Sequence, residues 1–357
     1  MDTKTVTNHI TGKDISGIFD GPYVLYKNDQ VFVKYIVYDE TNGTKSVHAD
    51  SVALSEKKDI LLKVNTDLPG KTFSVQLKKK LQTEKCEYKK PARQFVLSDI
   101  EGNFKAFRKL LQANGVVDSN LNWAFGNGHL VLIGDFFDRG TQVTEVLWLI
   151  YSLEEKAKDA GGYVHYILGN HEIMNMNGDL RYLQPKYLED AQLLNEQYVS
   201  LYNENSELGR WLRTKNIMER IGGFLYIHGG ISSLINSMGT SISDINELAR
   251  PYYSDTSFKY PDPRIDVIYS DEGPFWYRGY YSGNAKASTA QIDSTISEFH
   301  VDRIVTGHTI VAETISVWHN GKVINTDVHH AGGKSEALLI EGDKRYRVDG
   351  EGHKILL

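Results

Sequence analysis

The sequence contains a single cysteine, Cys86, among its 357 residues. An internal disulfide is therefore excluded, which fits a reducing compartment. Residues 1–4 lack the apolar core of a signal peptide, and no apolar run is long enough to span a bilayer. We expect a cytoplasmic protein without a membrane span, and the alternative is an exported protein that has lost its leader.

Basic residues are not in excess, because 40 lysines and arginines stand against 46 aspartates and glutamates. The formal net charge of −6 and the isoelectric point of about 6.1 disfavour a nucleic-acid partner, which would require a basic face. The short basic run from Lys78 to Lys80 is interpreted as a solvated strand end. Hydrophobic residues make up 41% and charged residues 24%, as in ordinary globular proteins.

Before residue 90 the chain alternates apolar and polar side chains over short runs. The clearest runs begin at Tyr23, Val31, Ile60 and Phe73, and turn-forming segments separate them. Period-two alternation broken by turns predicts antiparallel strands. We predict a small N-terminal all-β module over residues 1–90. Because it holds no cluster of catalytic residue types, we assign it to packing or partner binding.

Beyond residue 91 the pattern changes to short apolar strands that alternate with helices. Strand-like runs and helical spacing follow one another at residues 95–97, 104–111, 130–133, 146–153 and 163–168. This alternation predicts an α/β domain over residues 91–357. We expect a polar helical insertion at about 174–215 and a return to strands after Phe224.

Five short motifs follow predicted strands, and together they carry most of the chemistry in the chain. They are Ser98-Asp99-Ile100-Glu101-Gly102-Asn103, Gly134-Asp135-Phe136-Phe137-Asp138-Arg139-Gly140, Gly169-Asn170-His171-Glu172, His228-Gly229-Gly230 and Gly307-His308-Thr309. The second motif alone should arise by chance on the order of once in 10⁴ chains of this length. The ends of strands in α/β folds converge on one crevice, so these residues are expected to meet. Carboxylate, amide and imidazole ligands suit divalent cations such as Mn, Fe or Zn.

These motifs resemble those of the calcineurin-like metallophosphoesterases, and within them the phosphoprotein-phosphatase branch. The Asp-Arg-Gly ending of the second motif points to that branch, and Trp276-Tyr277-Arg278-Gly279 resembles an arginine-bearing loop of its bacterial members. The resemblance covers residues 93–330 approximately. It implies a β-sandwich of two mixed sheets flanked by helices, with a dinuclear metal site at one edge.

The resemblance also implies a role for each motif residue. Asp135 is expected to bridge two divalent cations, for which Mn is favoured over Fe, Mg or Zn. The remaining metal ligands are expected to be Asp99 and Glu101 at the first cation, and Asn170, His228 and His308 at the second. His171 is expected to be the general acid, oriented by Asp138, while Arg139 and Arg278 clamp the phosphate oxygens.

One position departs from the family pattern, because Glu101 stands where histidine is usual. A third carboxylate would harden the first site towards Mn, Mg or Fe, and the alternative is that Glu101 is a surface residue. His329 and His330 could supply a replacement imidazole, although loop residues lining the cleft are the more ordinary interpretation. Glu172 is expected to steady the metal loops. The Trp276-Tyr277 pair is either an aromatic platform or a packed loop.

The sequence therefore predicts a metal-dependent phosphomonoesterase in which a metal-bridging hydroxide attacks the phosphate. Phosphoproteins carrying phosphoserine, phosphothreonine or phosphotyrosine are the expected substrates, followed by small phosphate monoesters. Two alternatives remain at this stage. One is a phosphodiesterase or nuclease, and the other is a non-catalytic metal- or phosphate-binding module in which Glu101 has disabled the first metal site.

Overall fold

The N-terminal part of the chain forms two small sheets. The computed structural model describes residues 9–11, 15–283 and 286–357, so residues 1–8 and 12–14 of the predicted module lie outside the described residues. The strands are β1 (His9–Thr11), β2 (Ile18–Lys27), β3 (Gln30–Asp39), β4 (Thr44–Ala53), β5 (Ile60–Asn65) and β6 (Thr72–Gln76). Strands β2, β3 and β4 form an antiparallel meander, while β5 pairs with β1 in parallel and with β6 antiparallel.

Strand β4 is absent from the sequence-based prediction. Its ten residues are mostly polar and mostly exposed, so no apolar alternation marks it. It forms because it pairs with β3 along its whole length, from Thr44 opposite Asp39 to Ala53 opposite Gln30. Pairing with a neighbour, rather than burial of its own side chains, therefore determines this strand.

Two six-stranded mixed sheets make up the centre of the described chain. Their strands are β7 (Glu87–Tyr88), β8 (Arg93–Leu97), β9 (His129–Ile133), β10 (Tyr163–Ile167), β11 (Met218–Ile221), β12 (Phe224–Ile227), β13 (Arg303–Thr306), β14 (Ser316–Trp318), β15 (Val323–Asn325), β16 (Glu336–Glu341), β17 (Lys344–Asp349) and β18 (Lys354–Leu356). One sheet has the order β10-β9-β8-β16-β17-β18, with β8 to β10 parallel. The other has the order β14-β15-β13-β12-β11-β7, with β12, β13 and β15 parallel.

An apolar layer joins the two sheets face to face. It contains Val96 and Val131 from the first sheet and Tyr226, Val305 and Ile324 from the second. Neighbouring residues of the same strands point the other way and pack with the helices, which is why residues 130–133 of β9 form a continuous apolar run. This arrangement confirms the predicted sandwich of two mixed sheets flanked by helices.

Helices cover the outer faces of the sandwich. They are α1 (Phe104–Ala113), α2 (Val143–Asp159), α3 (Asn170–Asn177), α4 (Pro185–Leu193), α5 (Glu207–Leu212), α6 (Ser233–Ser237), α7 (Ile242–Ala249), α8 (Pro263–Tyr269) and α9 (Thr289–Glu298). The predicted return to strands after Phe224 is wrong beyond β12, because α6 to α9 intervene before β13. Their short amphipathic turns, capped by residues such as Ser232, Ser241 and Ser288, carry little periodic signal. In the described part of the chain, none of these helices combines the length and apolarity needed to cross a membrane.

The small N-terminal sheets share a hydrophobic core with the helices of the α/β part. The indole of Trp148 on α2 donates to the carbonyl of Pro22, and the amide of Tyr26 donates to the carbonyl of Asn205. In addition, β7 already pairs with β11 of the second large sheet before residue 91. The boundary between the N-terminal β module and the α/β domain at residues 90–91 stays a prediction.

A group of buried charges ties the N-terminal sheets to α2 and α4. Lys186 contacts Asp20 and lies 3.6 Å from Asp190, while Glu145 is buried beside them. Burial raises the pKa of Glu145 to about 8, with Asp20 and Asp190 adding to the rise and Lys186 opposing it. A carboxyl whose pKa is higher in the folded state than in the unfolded state stabilises the fold at low pH. Its contribution is lost as the pH rises towards the folded pKa.

We therefore expect the stability of the parent protein to fall between about pH 5 and pH 8 by up to about 1.4 kcal/mol per pH unit through Glu145. Glu145→Gln removes this titration, so its free energy of unfolding, measured with urea, should improve relative to the parent as the pH rises. Glu155→Gln, at an exposed position of the same helix, is the matched control. Parallel stability curves for Glu145→Gln and the parent would contradict the assignment.

Candidate metal centre

The predicted site residues lie where strands end. Asp99 follows β8, Asp135 follows β9, His228 follows β12 and His308 follows β13, while Asn170 opens α3 after β10. Because β8 to β10 run parallel in one sheet and β12 and β13 run parallel in the other, these ends meet at one edge of the sandwich. The structure thus brings together side chains that are up to 209 positions apart in the sequence, such as Asp99 and His308.

The backbone turns sharply at these positions. Six site residues have a positive φ, in the left-handed region that side-chain-bearing residues rarely occupy: Asp99, Glu101, Asp135, Asp138, Arg139 and His308. Such conformations cost on the order of 1–3 kcal/mol each and persist only when the surroundings enforce them. Their concentration in the motif loops marks these loops as a functional site.

Two glycines allow the loops to approach one another. A Cβ atom at Gly169 would overlap the carboxylate of Asp135, and one at Gly307 would overlap the carboxylate of Asp99. Glycine is therefore required by space rather than by φ at both positions.

Asp135 occupies the centre of the site. His228 Nε2 lies 3.1 Å from its Oδ2, and the backbone amide of His171 donates to its Oδ1 at 2.9 Å. Asn170 Oδ1 lies 3.0 Å from the same His228 nitrogen. Burial raises the pKa of Asp135, but the charges of His228 and His171 outweigh it and keep the pKa well below its usual range.

The imidazoles of His228 and His308 each use one nitrogen to contact the backbone. His228 Nδ1 donates to the carbonyl of Ile133 at 2.7 Å, which leaves Nε2 facing Asp135 and Asn170. His308 Nε2 lies 3.2 Å from the carbonyl of Trp276, and burial lowers the pKa of His308 well below its usual value. The imidazole of His308 is therefore neutral, its Nε2 donates, and its Nδ1 is left as a ligand.

These residues fit a divalent cation. Ligand atoms of Asp135, His228 and His308 all lie within 4.8 Å of one another, and all three residues are buried. One carboxylate and two imidazoles form a donor set for Mn, Fe or Zn. The carboxylate of Asp135 raises the pKa of His228 to about 10 against the effect of burial, and the same negative charge attracts a metal cation.

Asp99 provides a second buried carboxyl beside this group. It accepts from the backbone amide of His308 at 3.2 Å. Burial raises its pKa to about 7, and although His228 lowers it, Asp135 adds to the rise. A carboxyl that is costly to ionise beside another carboxylate is stabilised in its charged form by a bound cation. The position therefore fits the ligand predicted for the first metal.

His171 and Asp138 form a hydrogen-bonded pair at the edge of this group. Their Nδ1 and Oδ2 atoms are 2.6 Å apart, and both side chains are buried. His171 Nε2 lies 3.7 Å from Asp135 Oδ2. Burial lowers the pKa of His171, but Asp135 and Asp138 outweigh it and raise the pKa above its usual value. The two carboxylates thus favour the protonated form of His171, whose Nε2 faces Asp135.

The two predicted arginines differ in their anchoring. Arg139 contacts the carboxylate of Glu101, and its side chain is about half exposed, at 48%. Arg278 donates to the carbonyl of His308 at 2.7 Å and to Thr309 Oγ1 at 3.1 Å. The structure therefore places Glu101 against an arginine and outside the group formed by Asp135, His228 and His308.

Glu172 connects the second and third motif loops. Its carboxylate accepts from the backbone amides of Asp135, Phe136 and Gly169 and from the hydroxyl of Tyr166, at 2.7–2.9 Å. The side chain is completely buried. Glu172 thus fixes the loop that carries Asp135 against the loop that carries Asn170.

The remaining candidates take ordinary positions. Trp276 is partly buried with its ring 5.8 Å from that of His308, and Tyr277 is buried and accepts from Gln291, so this segment packs and positions Arg278. His329 is exposed. His330 is buried, and its Nε2 lies 3.1 Å from the carbonyl of Ser98.

Sequence reasoning missed two residues at the site. Asp327 is buried just after β15, and burial raises its pKa well above the usual value, with Asp99 adding to the rise. It could have been found, because it follows its strand as Asp99 follows β8. The other is Tyr182, whose ring contacts His171 and Arg139. It lies in the turn between α3 and α4, where no local pattern marks it.

A family comparison decides the class of this site. The calcineurin-like phosphoesterase model matches residues 92–312. The chain belongs to the calcineurin-like phosphoesterase family. This confirms the resemblance seen in the motifs, and it identifies the chain as an enzyme that hydrolyses phosphate esters, in a family that uses divalent metals.

Solved structures and curated relatives agree with the family. The phosphoesterase superposes on the cold-active protein-tyrosine phosphatase of a psychrophile Shewanella species with a TM-score of 0.84 and 36% identity, over 95% of this chain and 99% of that one. Shewanella-like protein phosphatase 2 of Arabidopsis thaliana is 26% identical over 311 residues, which are 73% of this chain and 78% of the relative. A serine/threonine phosphatase of Saccharomyces cerevisiae, 17% identical over 73% of this chain and 78% of that one with a TM-score of 0.50, shares the fold.

Glu172→Gln tests the connection between the metal loops. An amide replaces one acceptor oxygen with a donor that faces backbone amides, so we expect a loss of about 1–3 kcal/mol in the free energy of unfolding. Urea denaturation measures the loss, and Glu298→Gln, at an exposed position on α9, is the control. A change in the free energy of unfolding no larger than that of the control would refute the role of Glu172.

Proposed function

We propose that this phosphoesterase is a phosphomonoesterase that acts on phosphoproteins and uses two divalent cations, with Mn favoured. The observation that carries the proposal is the meeting of Asp135, His228 and His308 with the His171–Asp138 pair at one edge of the sandwich. A metal-binding donor set and a protonated imidazole beside it are the two components that hydrolysis of a phosphate ester requires.

The proposed ligands divide between two cations that share Asp135. Asp99 and Glu101 would complete one site, while Asn170, His228 and His308 would complete the other. When bound, such cations acidify water to supply a nucleophile at neutral pH and neutralise charge on the phosphoryl oxygens. The protein's own contribution is to hold these donors on strained loops, so that little rearrangement is needed on binding.

Glu101 can serve two partners at once. It lies two residues after Asp99 and contacts Arg139 through Oε1. A carboxylate accepts through both oxygens, so one can face Arg139 while the other faces a cation. We propose that Glu101 links the first metal site to the arginine that grips the phosphate.

His171 is the proposed general acid. Asp138 accepts from its Nδ1 and keeps the ring protonated, so that Nε2 can donate to the oxygen of the departing alcohol. Arg139 and Arg278 are proposed to bind the phosphoryl oxygens, which Arg139 can approach because it is half exposed. Gripping several terminal oxygens suits a monoester dianion better than a diester, which has fewer of them.

The phosphoprotein substrate is supported by the relatives and by the charge of the chain. Proteins similar to this chain are named as protein phosphatases, among them the Shewanella tyrosine phosphatase and the Arabidopsis protein phosphatase. The net charge of −6 offers no general attraction to nucleic acid. A protein carrying a phosphate monoester is therefore the preferred substrate over a nucleic-acid diester.

The proposal predicts that Asp135→Asn lowers the turnover of p-nitrophenyl phosphate by about 100-fold or more, because both cations lose a shared charged ligand. Metal content after dialysis should fall in the same variant. Asp343→Asn is the control, since the carboxylate of Asp343 is 97% exposed and far from the motif loops in sequence.

The parent should hydrolyse the monoester faster than bis(p-nitrophenyl) phosphate. An Asp135→Asn variant as active as the parent, or a parent that prefers the bis-ester, would overturn the proposal.

A further inference from the structure

Tyr182 is an exposed aromatic residue placed beside the catalytic groups. It lies in the turn between α3 and α4, and 42% of its surface is exposed. Its ring centroid is 5.1 Å from that of His171 and 5.0 Å from the guanidinium carbon of Arg139. One ring therefore contacts both the proposed general acid and a proposed phosphate ligand.

The turn that carries Tyr182 is fixed to the second motif loop. The backbone amide of Arg139 donates to the carbonyl of Tyr182 at 3.1 Å, and Gln184 Nε2 donates to the carbonyl of Arg139 at 2.7 Å. On either side of Tyr182, Leu180 and Leu183 are partly buried against the core. The exposure of Tyr182 is thus a property of an anchored turn, and its ring stays close to the site.

The ring of Tyr182 lies on the side of the site where we expect the leaving alcohol of the substrate. Because the ring contacts both residues, a phosphate bound by Arg139 with its ester oxygen near Nε2 of His171 would have its alcohol group close to Tyr182. The other aromatic residues considered at the site are less available, since Trp276 is partly buried and Tyr277 is buried. The guanidinium carbons of Arg139 and Arg181 lie 5.0 and 5.8 Å from the ring centroid of Tyr182, and 42% of the residue stays exposed beside them.

We propose that Tyr182 is a specificity-determining residue that packs against the ring of an aryl phosphate, and so favours phosphotyrosine over phosphoserine and phosphothreonine. This inference rests on the proposed phosphomonoesterase function and narrows its substrate class. Offset or edge-to-face pairing of two rings strengthens binding by about two- to tenfold beyond burial. A tyrosine ring also loses little conformational freedom on binding, because it has two side-chain torsions.

The test compares two phosphopeptides of one sequence, carrying phosphotyrosine or phosphoserine at the same position. Tyr182→Ala should lower kcat/KM for the phosphotyrosine peptide about two- to tenfold more than for the phosphoserine peptide. Tyr182→Phe should retain the parent's preference, since it keeps the ring. Tyr38→Ala is the control, because Tyr38 is 40% exposed on the N-terminal strand β3.

Equal losses on the two peptides in Tyr182→Ala would overturn the inference, because a ring that only steadied Arg139 and His171 would affect both substrates alike.

A binding measurement separates this inference from the proposed function. Calorimetry with Mn²⁺ present can compare benzylphosphonate with propylphosphonate, neither of which is hydrolysed. The parent should bind the benzyl compound more tightly, and Tyr182→Ala should lose that difference. A parent that shows this preference but has no phosphatase activity would refute the proposed function alone. A parent that hydrolyses phosphate monoesters without this preference would refute the role of Tyr182 alone.

Discussion

The burial of two carboxyls side by side, on Asp99 and Asp135, is the constraint on which the site depends. Both are almost completely buried, and burial is the largest cause of the raised pKa of Asp99. Negative charge in such a place must be balanced by positive charge or by hydrogen bonds. The imidazole of His228, the backbone amides of His171 and His308, and the proposed cations all supply that balance. The strained loops and the strand ends behind them hold these groups together.

The class of fold and the meeting of Asp135, His228 and His308 could be predicted from the sequence. Strands such as β9 are buried on both faces, so they stand out as continuous apolar runs, and the motifs begin where such runs end. The motif residues converge because parallel strands end at a common edge. Asp135, His228 and His308 therefore could be expected to lie together, and the structure places them within reach of one cation.

Other features could not be predicted because they depend on contacts between distant parts of the chain. Strand β4 is polar and forms through pairing with β3. Helices α6 to α9 are short, and their boundaries depend on caps rather than on a long apolar stripe. The contact of Glu101 with Arg139 joins two separate motifs. Tyr182 reaches the site because an anchored turn of the insertion brings it there, and a single aromatic residue in a turn carries no pattern of its own.

The most direct test of the account is a calorimetric titration of chelator-treated protein with Mn²⁺, paired with turnover of p-nitrophenyl phosphate at each point. A dinuclear site predicts two equivalents bound per chain, with activity that rises as they bind and is lost on chelation. It also predicts that Glu101→Gln weakens the binding of one equivalent and leaves the other in place. Binding of one equivalent or none, or full activity in the chelated protein, would contradict the dinuclear site.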